Sequence, residues 1–225
     1  IEVGQPINYF YGYEVQGVYQ NQAEINADPI ASRYNEQNPG SPILPGYLRY
    51  KDQNGNGELD ESDRINLGNY LPTLSYGFNI GIEYKGFDLG VVLQGVAGNK
   101  IHNLNRAMRR KYPQMNADAA FMEGLWTGEG SSNTYPSAAG SVAAWNLQAS
   151  SFFVESGAYL RVQNVQLGYS FNLTPSIPFR VFATADRPLI FTNYNGFSPE
   201  VSGMGFDANV YPVAATYSLG IRASF

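Results

Sequence analysis

The chain has no cysteine, a single histidine and few charged residues, and each shortage removes a class of function. Without cysteine there are no disulfides, no thiol nucleophile and no zinc–thiolate site. His102 stands alone, so neither a Ser-His-Asp triad nor a histidine metal cluster can be assembled from the sequence. The reading therefore expects no enzyme. A net charge of −5 lacks the basic footprint that nucleic acid demands. Long apolar runs are absent too: nothing approaches the ~20 residues of a helical membrane span, and the mean hydropathy is mildly negative. That absence leaves strand-built membrane proteins untouched, because alternating strands average to a modest hydropathy.

What the chain does have is aromatics and glycine: 17 Tyr, 13 Phe and 24 Gly, a composition suited to β-structure with a membrane–water boundary. Alternation with a period of two recurs along it. Residues Ile7 to Tyr19 place Ile7, Tyr9, Tyr11, Tyr13 and Val15 on one face and Asn8, Gly12, Glu14 and Gln16 on the other. Leu74, Tyr76, Phe78, Ile80, Ile82 and Tyr84 alternate with Ser75, Gly77, Asn79, Gly81 and Glu83. Lys85-Gly86 then reads as a two-residue hairpin turn, followed by Phe87, Leu89, Val91 and Leu93 against Asp88, Gly90 and Gln94. Val165, Leu167, Tyr169 and Phe171 alternate with Asn164, Gln166, Gly168 and Ser170; a less regular strand spans about 179–193; Tyr217, Leu219, Ile221, Ala223 and Phe225 close the chain. Pro188 within the fifth strand removes a ladder donor and predicts a bulge or strand end there.

A β-sandwich with a solvated exterior also has one apolar face. Strands near the ~9–11 residues that cross a bilayer, with aromatics at their ends (Tyr84, Phe87, Tyr169, Phe171, Phe179), favour a barrel with an interfacial girdle. The expected fold class is thus all-β: an antiparallel transmembrane β-barrel segment of about six strands. About eight strands are needed to close the smallest barrel, and an open edge in lipid is costly. The reading therefore expects residues 1–225 to be the C-terminal part of a longer barrel polypeptide. Short turns at 85–86 and about 172–178, against long loops at about 20–73, 98–157 and 195–214, put the long loops outside and the C-terminus in the periplasm. The terminal Phe225 resembles the end-of-strand aromatic that barrel-assembly machinery reads.

Four stretches, in order and spacing, resemble the SusC (RagA/SusC) family of TonB-dependent outer-membrane transporters. They are Phe10-Tyr11-Gly12-Tyr13 through Gly17-Val18-Tyr19-Gln20-Asn21; Arg49-Tyr50-Lys51-Asp52 through Asp63-Arg64; Tyr76-Gly77-Phe78-Asn79 with Tyr84-Lys85-Gly86-Phe87-Asp88-Leu89; and Trp126-Thr127-Gly128-Glu129-Gly130 with Tyr159-Leu160-Arg161. Asn56 stands where the family pattern usually has Asp, and Ala185-Asp186-Arg187-Pro188-Leu189 replaces its penultimate-strand motif. The resemblance implies a barrel of about 22 strands, a plug domain absent from this chain, a SusD-type surface lipoprotein partner, energy from TonB, and import of an oligosaccharide or oligopeptide. Two other readings of the same residues are a soluble, calcium-stabilised carbohydrate-binding β-sandwich and a passive porin.

One constellation carries site chemistry. Asp52, Asn54, Asn56, Glu58, Asp60 and Asp63 fall at the oxygen-ligand spacing of an EF-hand loop, with Gly57 at its sharp turn. An all-oxygen set favours Ca²⁺. Asp at the last position is shorter than the usual Glu, so the expectation is weak, structural binding of about 10⁻⁴–10⁻³ M. The alternative is an Asn/Gly-rich turn with no ion. In the 98–157 loop, Arg106, Arg109, Arg110, Lys111, Trp126, Tyr135 and Trp145 suit either a ligand or partner surface, or packing of the loops on one another.

Overall fold

The computed structural model describes residues 3–106, 119–174, 177–201 and 203–223. Arg109, Arg110, Lys111 and Phe225 lie outside the described residues. The elements are β1 (Tyr9–Tyr13), β2 (Val15–Val18), α1 (Gln22–Ala27), α2 (Pro29–Gln37), β3 (Leu48–Tyr50), β4 (Arg64–Asn69), β5 (Leu74–Tyr84), β6 (Phe87–Ala97), β7 (Lys100–Asn103), α3 (Ala119–Glu123), β8 (Val154–Ser156), β9 (Tyr159–Thr174), β10 (Ile177–Thr192), β11 (Phe206–Asp207) and β12 (Thr216–Ala223). They divide into two bodies: residues 1–69, 102–155 and 206–208 form one, and residues 70–101, 156–205 and 209–225 the other.

The second body is an antiparallel sheet of order β12-β10-β9-β6-β5. Lys85 and Gly86 both adopt positive φ, as the I′ hairpin requires, and this fixes Tyr84 opposite Phe87. Pairing then runs without a slip from Tyr84/Phe87 to Leu74/Ala97. The bulge predicted at Pro188 is present: the β9–β10 register shifts between Asp186 and Leu189, with Arg187 at φ 52°. β12 pairs with β10, its one neighbour among the described residues. The sheet is open.

The first body is a mixture of short strands, helices and 3₁₀ turns around an aromatic core. Tyr13, Tyr19, Tyr50, Trp145, Phe152 and Phe153 are buried together with Val18, Ile25, Ile30 and Leu48. Burying tyrosine and tryptophan requires partners for their polar atoms. Tyr50 Oη donates to the Trp145 carbonyl at 2.8 Å, and Trp145 Nε1 donates to the Leu48 carbonyl at 2.7 Å. Leu48 N–H in turn donates to Asn146 Oδ1 at 2.8 Å. Tyr19 Oη donates to Asp28 Oδ2 at 2.7 Å while Asp28 Oδ1 caps α2 through the Ile30 N–H, so one side chain ties strand end to helix start. Pro29 at the first turn of α2 costs no helix bond.

Two expectations are corrected here. Residues 7–19 do not form a sixth strand of the main sheet. They break at Glu14 into β1, paired with β4, and β2, paired with β3. The face Tyr9/Tyr11/Tyr13/Val15 is not an outward apolar row: Tyr13 is 5% exposed, Val15 packs on the core, and Tyr11 Oη donates to the Glu61 carbonyl. Period-two spacing reports an extended backbone and says nothing of which sheet receives it. Here Phe10 and Val18, on the opposite face, are buried as well, while Ile7 and Tyr11 stay exposed, so burial does not follow the alternation. Gly12 lies so close to the Ala149 carbonyl that any Cβ would overlap it. The second correction concerns the segments 20–73 and 98–157, expected as loops. They carry α1, α2, β3, β4, β7, α3 and β8 and supply much of a packed core.

Candidate functional site

The Asp52–Asp63 segment links β3 to β4 and is closed by its own side chains. Asp63, fully buried, accepts from the Gln53 N–H and the Asp60 N–H, both at 2.9 Å, and so clamps the two ends of the loop. Asp60 caps the 3₁₀ turn Glu61–Asp63 reciprocally. Asp52 accepts from Gly55 N–H at 2.6 Å and Gly57 N–H at 2.8 Å, with both glycines in the left-handed region. Asn54 Oδ1 and Asn56 Oδ1 each accept from the N–H two residues on, at 2.9 and 2.8 Å. Glu58 pairs with Arg33 of α2 instead of facing the loop centre.

These donors shape the loop's electrostatics. The Gly57 N–H, joined by those of Gly55, Asn56 and Asn54, holds the Asp52 carboxyl below the usual carboxylate range against the desolvation that pushes it up. The Ser62 hydroxyl, then the Ser62 N–H and the Asn56 amide, do the same for Asp60. The donor set is hard oxygen only, which suits Ca²⁺. Convergence is another matter: among the described residues no three His, Cys, Asp or Glu side chains come together to hold a metal ion. The N–H donors alone account for the turn, although each carboxylate oxygen that accepts one bond has capacity for a second.

The 98–157 residues are brought into the core. Trp145 fills it, Trp126 and Tyr135 pack at its edge, and Arg106 lies over the rings of Tyr135 and Phe152 while pairing with Glu155. His102 sits among Phe10, Phe153 and Phe206; burial pushes its imidazole below the ordinary value.

The main sheet presents two unlike faces, legible row by row because cross-strand partners share a side. One face carries the rows Tyr84–Phe87–Tyr169–Val181–Ile221, Ile82–Leu89–Leu167–Ala183–Leu219 and Ile80–Val91–Val165–Ala185–Tyr217. The other carries Glu83–Asp88–Gly168–Phe182–Gly220, Gly81–Gly90–Gln166–Thr184–Ser218 and Asn79–Val92–Asn164–Asp186–Thr216. On the first face many of the described side chains stand exposed: Phe78 is 57% exposed and Leu219 89%. On the second, Arg180 Nε donates to Asp88 Oδ1 at 3.1 Å in a two-pronged pair across β9, and Gly168 beneath it has no room for a Cβ. Asn164 Nδ2 donates to Asp186 Oδ1 at 2.8 Å. Sequence reasoning found both faces but missed these pairs, because partners some 92 residues apart (Arg180 and Asp88) meet only once the register of three strands is fixed.

No family model matches the chain. Among curated proteins it is 29% identical over 231 residues to the TonB-dependent receptor SusC of Bacteroides thetaiotaomicron, covering 100% of this chain and 20% of that protein. It is 27% identical over 240 residues to TonB-dependent receptor P26 of Formosa agariphila, covering 99% of this chain and 23% of the relative. The chain thus spans about a fifth to a quarter of the length of these relatives. Among solved structures, that of the RagAB peptide transporter aligns with a TM-score of 0.68 at 23% identity over 96% of this chain and 23% of that one. At that identity the likeness speaks for the fold. Along its whole length the chain is similar to SusC and other TonB-dependent receptors, and it shares the fold of one part of them.

Proposed function

We propose that this chain is the C-terminal part of the barrel wall of an outer-membrane importer, energised through TonB, that takes up oligosaccharides or oligopeptides with a SusD-type surface lipoprotein. The observation that carries this reading is the two-faced sheet: contiguous, largely exposed apolar rows on one side, and a charged and small-residue surface on the other. In water such an exposed apolar face is a liability; in lipid it is the ordinary outer wall of a barrel, with the polar face lining the interior. The relatives' names support nutrient uptake, and RagAB is a peptide importer by name. In this reading the apolar rows meet lipid, the short turn at Lys85-Gly86 is periplasmic, the segments at about 20–73, 98–157 and 195–214 are extracellular, and the work is binding and passage, without catalysis. A passive porin shares the wall but needs no energy source.

The test is uptake in the source bacterium. Deleting the gene should abolish accumulation of one oligosaccharide or peptide class, and deleting tonB should abolish it equally. Uptake that persists without TonB would leave the porin reading in its place. We also propose the Asp52–Asp63 loop as a weak Ca²⁺ site, with Asp52, Asp60 and Asp63 as the carboxylates and Asn54, Asn56 and the Glu58 carbonyl completing the oxygen set. The ligand order and the unused lone pairs support it, and closure on the ion would draw these side chains inward from their present N–H partners.

A further inference from the structure

The apolar face of the main sheet is furrowed along β10. The outward residues there are Val181, Ala183 and Ala185, flanked by Tyr169, Leu167 and Val165 of β9 and by Ile221, Leu219 and Tyr217 of β12. The result is a cleft of about 500 Å³, whose lining includes Leu167, Tyr169, Val181, Ala183, Leu219 and Ile221. Its walls stand two strand spacings apart, about 10 Å, and its floor from Val181 to Ala185 runs about 13 Å along the strand. Both ends are marked. At one, the register shifts between Asp186 and Leu189, and Leu189 and Phe191 stand out beyond it, each more than half exposed. At the other, the rings of Tyr169, Phe171 and Phe179 follow one another at 5.7 and 5.3 Å. On this second side Tyr84 heads the row that runs through Phe87 and Tyr169 to Val181 and Ile221. Lys85 Nζ lies over the Tyr84 ring, 5.2 Å from its centre, and pairs with no carboxylate among the described residues.

We propose that this furrow is a site for one anionic phospholipid, an acyl chain lying over Ala183 and the phosphate meeting Lys85. The proposal rests on the reading of this face as a lipid-facing wall. Every such wall is wetted by lipid, but this stretch has a shape that holds one molecule. On a flat row a chain touches protein on one side only; between Leu167 and Leu219 it touches a floor and two walls, and dispersion contacts accumulate atom by atom. The floor is shorter than half of a hydrocarbon core of about 30 Å, and the bulge stops it from running on. It therefore suits a chain from a single leaflet, the one on the side of the Lys85-Gly86 turn. The sign of the headgroup follows from Lys85. Its ammonium is a point charge suited to phosphate, carried on an aliphatic stem that lets it sit at a lipid boundary against an aromatic ring. Attraction to anionic lipid is strongest for such a cation at the membrane surface. A zwitterionic headgroup brings its own cation and gains less from the same lysine.

The test uses the full-length receptor, inserted into vesicles of equal parts dioleoyl phosphatidylglycerol and dioleoyl phosphatidylcholine, extracted in mild detergent and weighed by native mass spectrometry. Phosphatidylglycerol is expected to stay bound in preference to phosphatidylcholine. Ala183→Leu fills the floor and should lower the retained fraction by about tenfold. Leu219→Ala lowers one wall and should weaken retention without adding bulk, so a loss in both variants is not a packing defect of either. Lys85→Asn suits the positive φ of the turn while removing the charge; it should erase the preference between the two lipids. Unchanged trypsin resistance of the three variants verifies their folding. No retained phospholipid, retention unaltered by Ala183→Leu, or a preference that survives Lys85→Asn would each overturn the site, as would lipopolysaccharide or a second receptor found on this face in its place. Insertion into vesicles without a retained lipid would overturn the site and leave the barrel wall standing, whereas failure to insert would overturn both.

Discussion

The two bodies of this chain draw on the same aromatic-rich composition and bury it in opposite ways. In the first, Tyr50 is 2% exposed and Trp145 5%, and each ring's polar atom has found a backbone partner inside. In the second, Phe78, Ile82 and Leu219 stand uncovered while Arg180, Asp88, Asn164 and Asp186 pair on the other side of the sheet. One body has a core and the other has two surfaces. The proposed barrel wall gives the difference a physical reason: water closes an aromatic core, whereas lipid would leave the apolar face outside.

The largest expected effect lies in the core. Trp145→Ala removes the centre of the aromatic cluster and the indole hydrogen bond to the Leu48 carbonyl, and should cost about 3–5 kcal/mol in the first body. Leu219→Ala should change stability by about 0.5 kcal/mol or less in detergent. Denaturation of the two variants of the full-length receptor checks this, and equal losses would break the contrast between the bodies.

Next come substitutions that test the faces. Ile80→Arg or Leu167→Arg should cost about 2–4 kcal/mol for folding into vesicles, because the charge enters the hydrocarbon. Asn79→Arg and Gln166→Arg, one residue away on the polar face, should cost far less. Equal tolerance at both sets would sink the lipid-facing assignment.

A smaller effect is expected at the loop clamp. Asp63→Ala leaves the Gln53 and Asp60 N–H groups without their acceptor and should cost about 1–3 kcal/mol, confined to the loop. Faster hydrogen exchange at those two amides, with the Tyr50 and Leu48 amides unchanged, is the readout. If exchange rises throughout the first body, the loop is part of its core and not a separate clamp. Millimolar Ca²⁺ should slow protease nicking within residues 52–63 of the parent protein, and Asp52→Asn should remove that protection; identical nicking with and without Ca²⁺ excludes the metal site.

The smallest effect is pH dependence. Asp52 and Asp60 are held below their ordinary values by hydrogen bonds to the ionised form, so the stability they lend is complete above the unfolded value near about 4 and drains away as pH falls through the depressed folded values. Acid-protease nicking of the loop should therefore rise below about pH 4, less so in Asp52→Asn.

Much of this was open to reading before any coordinates. The period-two faces of residues 74–97 and 164–171, the Lys85-Gly86 turn and the Pro188 bulge follow from local chemistry: side-chain alternation, positive φ and a missing N–H each act within a few residues. The SusC resemblance was carried by motifs of the same short range. The destination of residues 7–19 was not local, since alternation there describes an extended strand equally well in either body, and only contacts with Ala149, Leu48 and Arg64 send it to the first. The loop at 52–63 was legible as a turn with oxygen side chains, but not Glu58 turning to Arg33 of α2 or Asp63 becoming a buried clamp on the Gln53 and Asp60 N–H groups, because both depend on how the chain folds back on itself. The sequence by itself determined which backbone runs are extended, where they turn, and that one face of the sheet is apolar. Tertiary structure alone decided which aromatics form a core, which charges pair across strands and which large side chains flank Ala183, because those outcomes rest on contacts between segments that no local rule brings together.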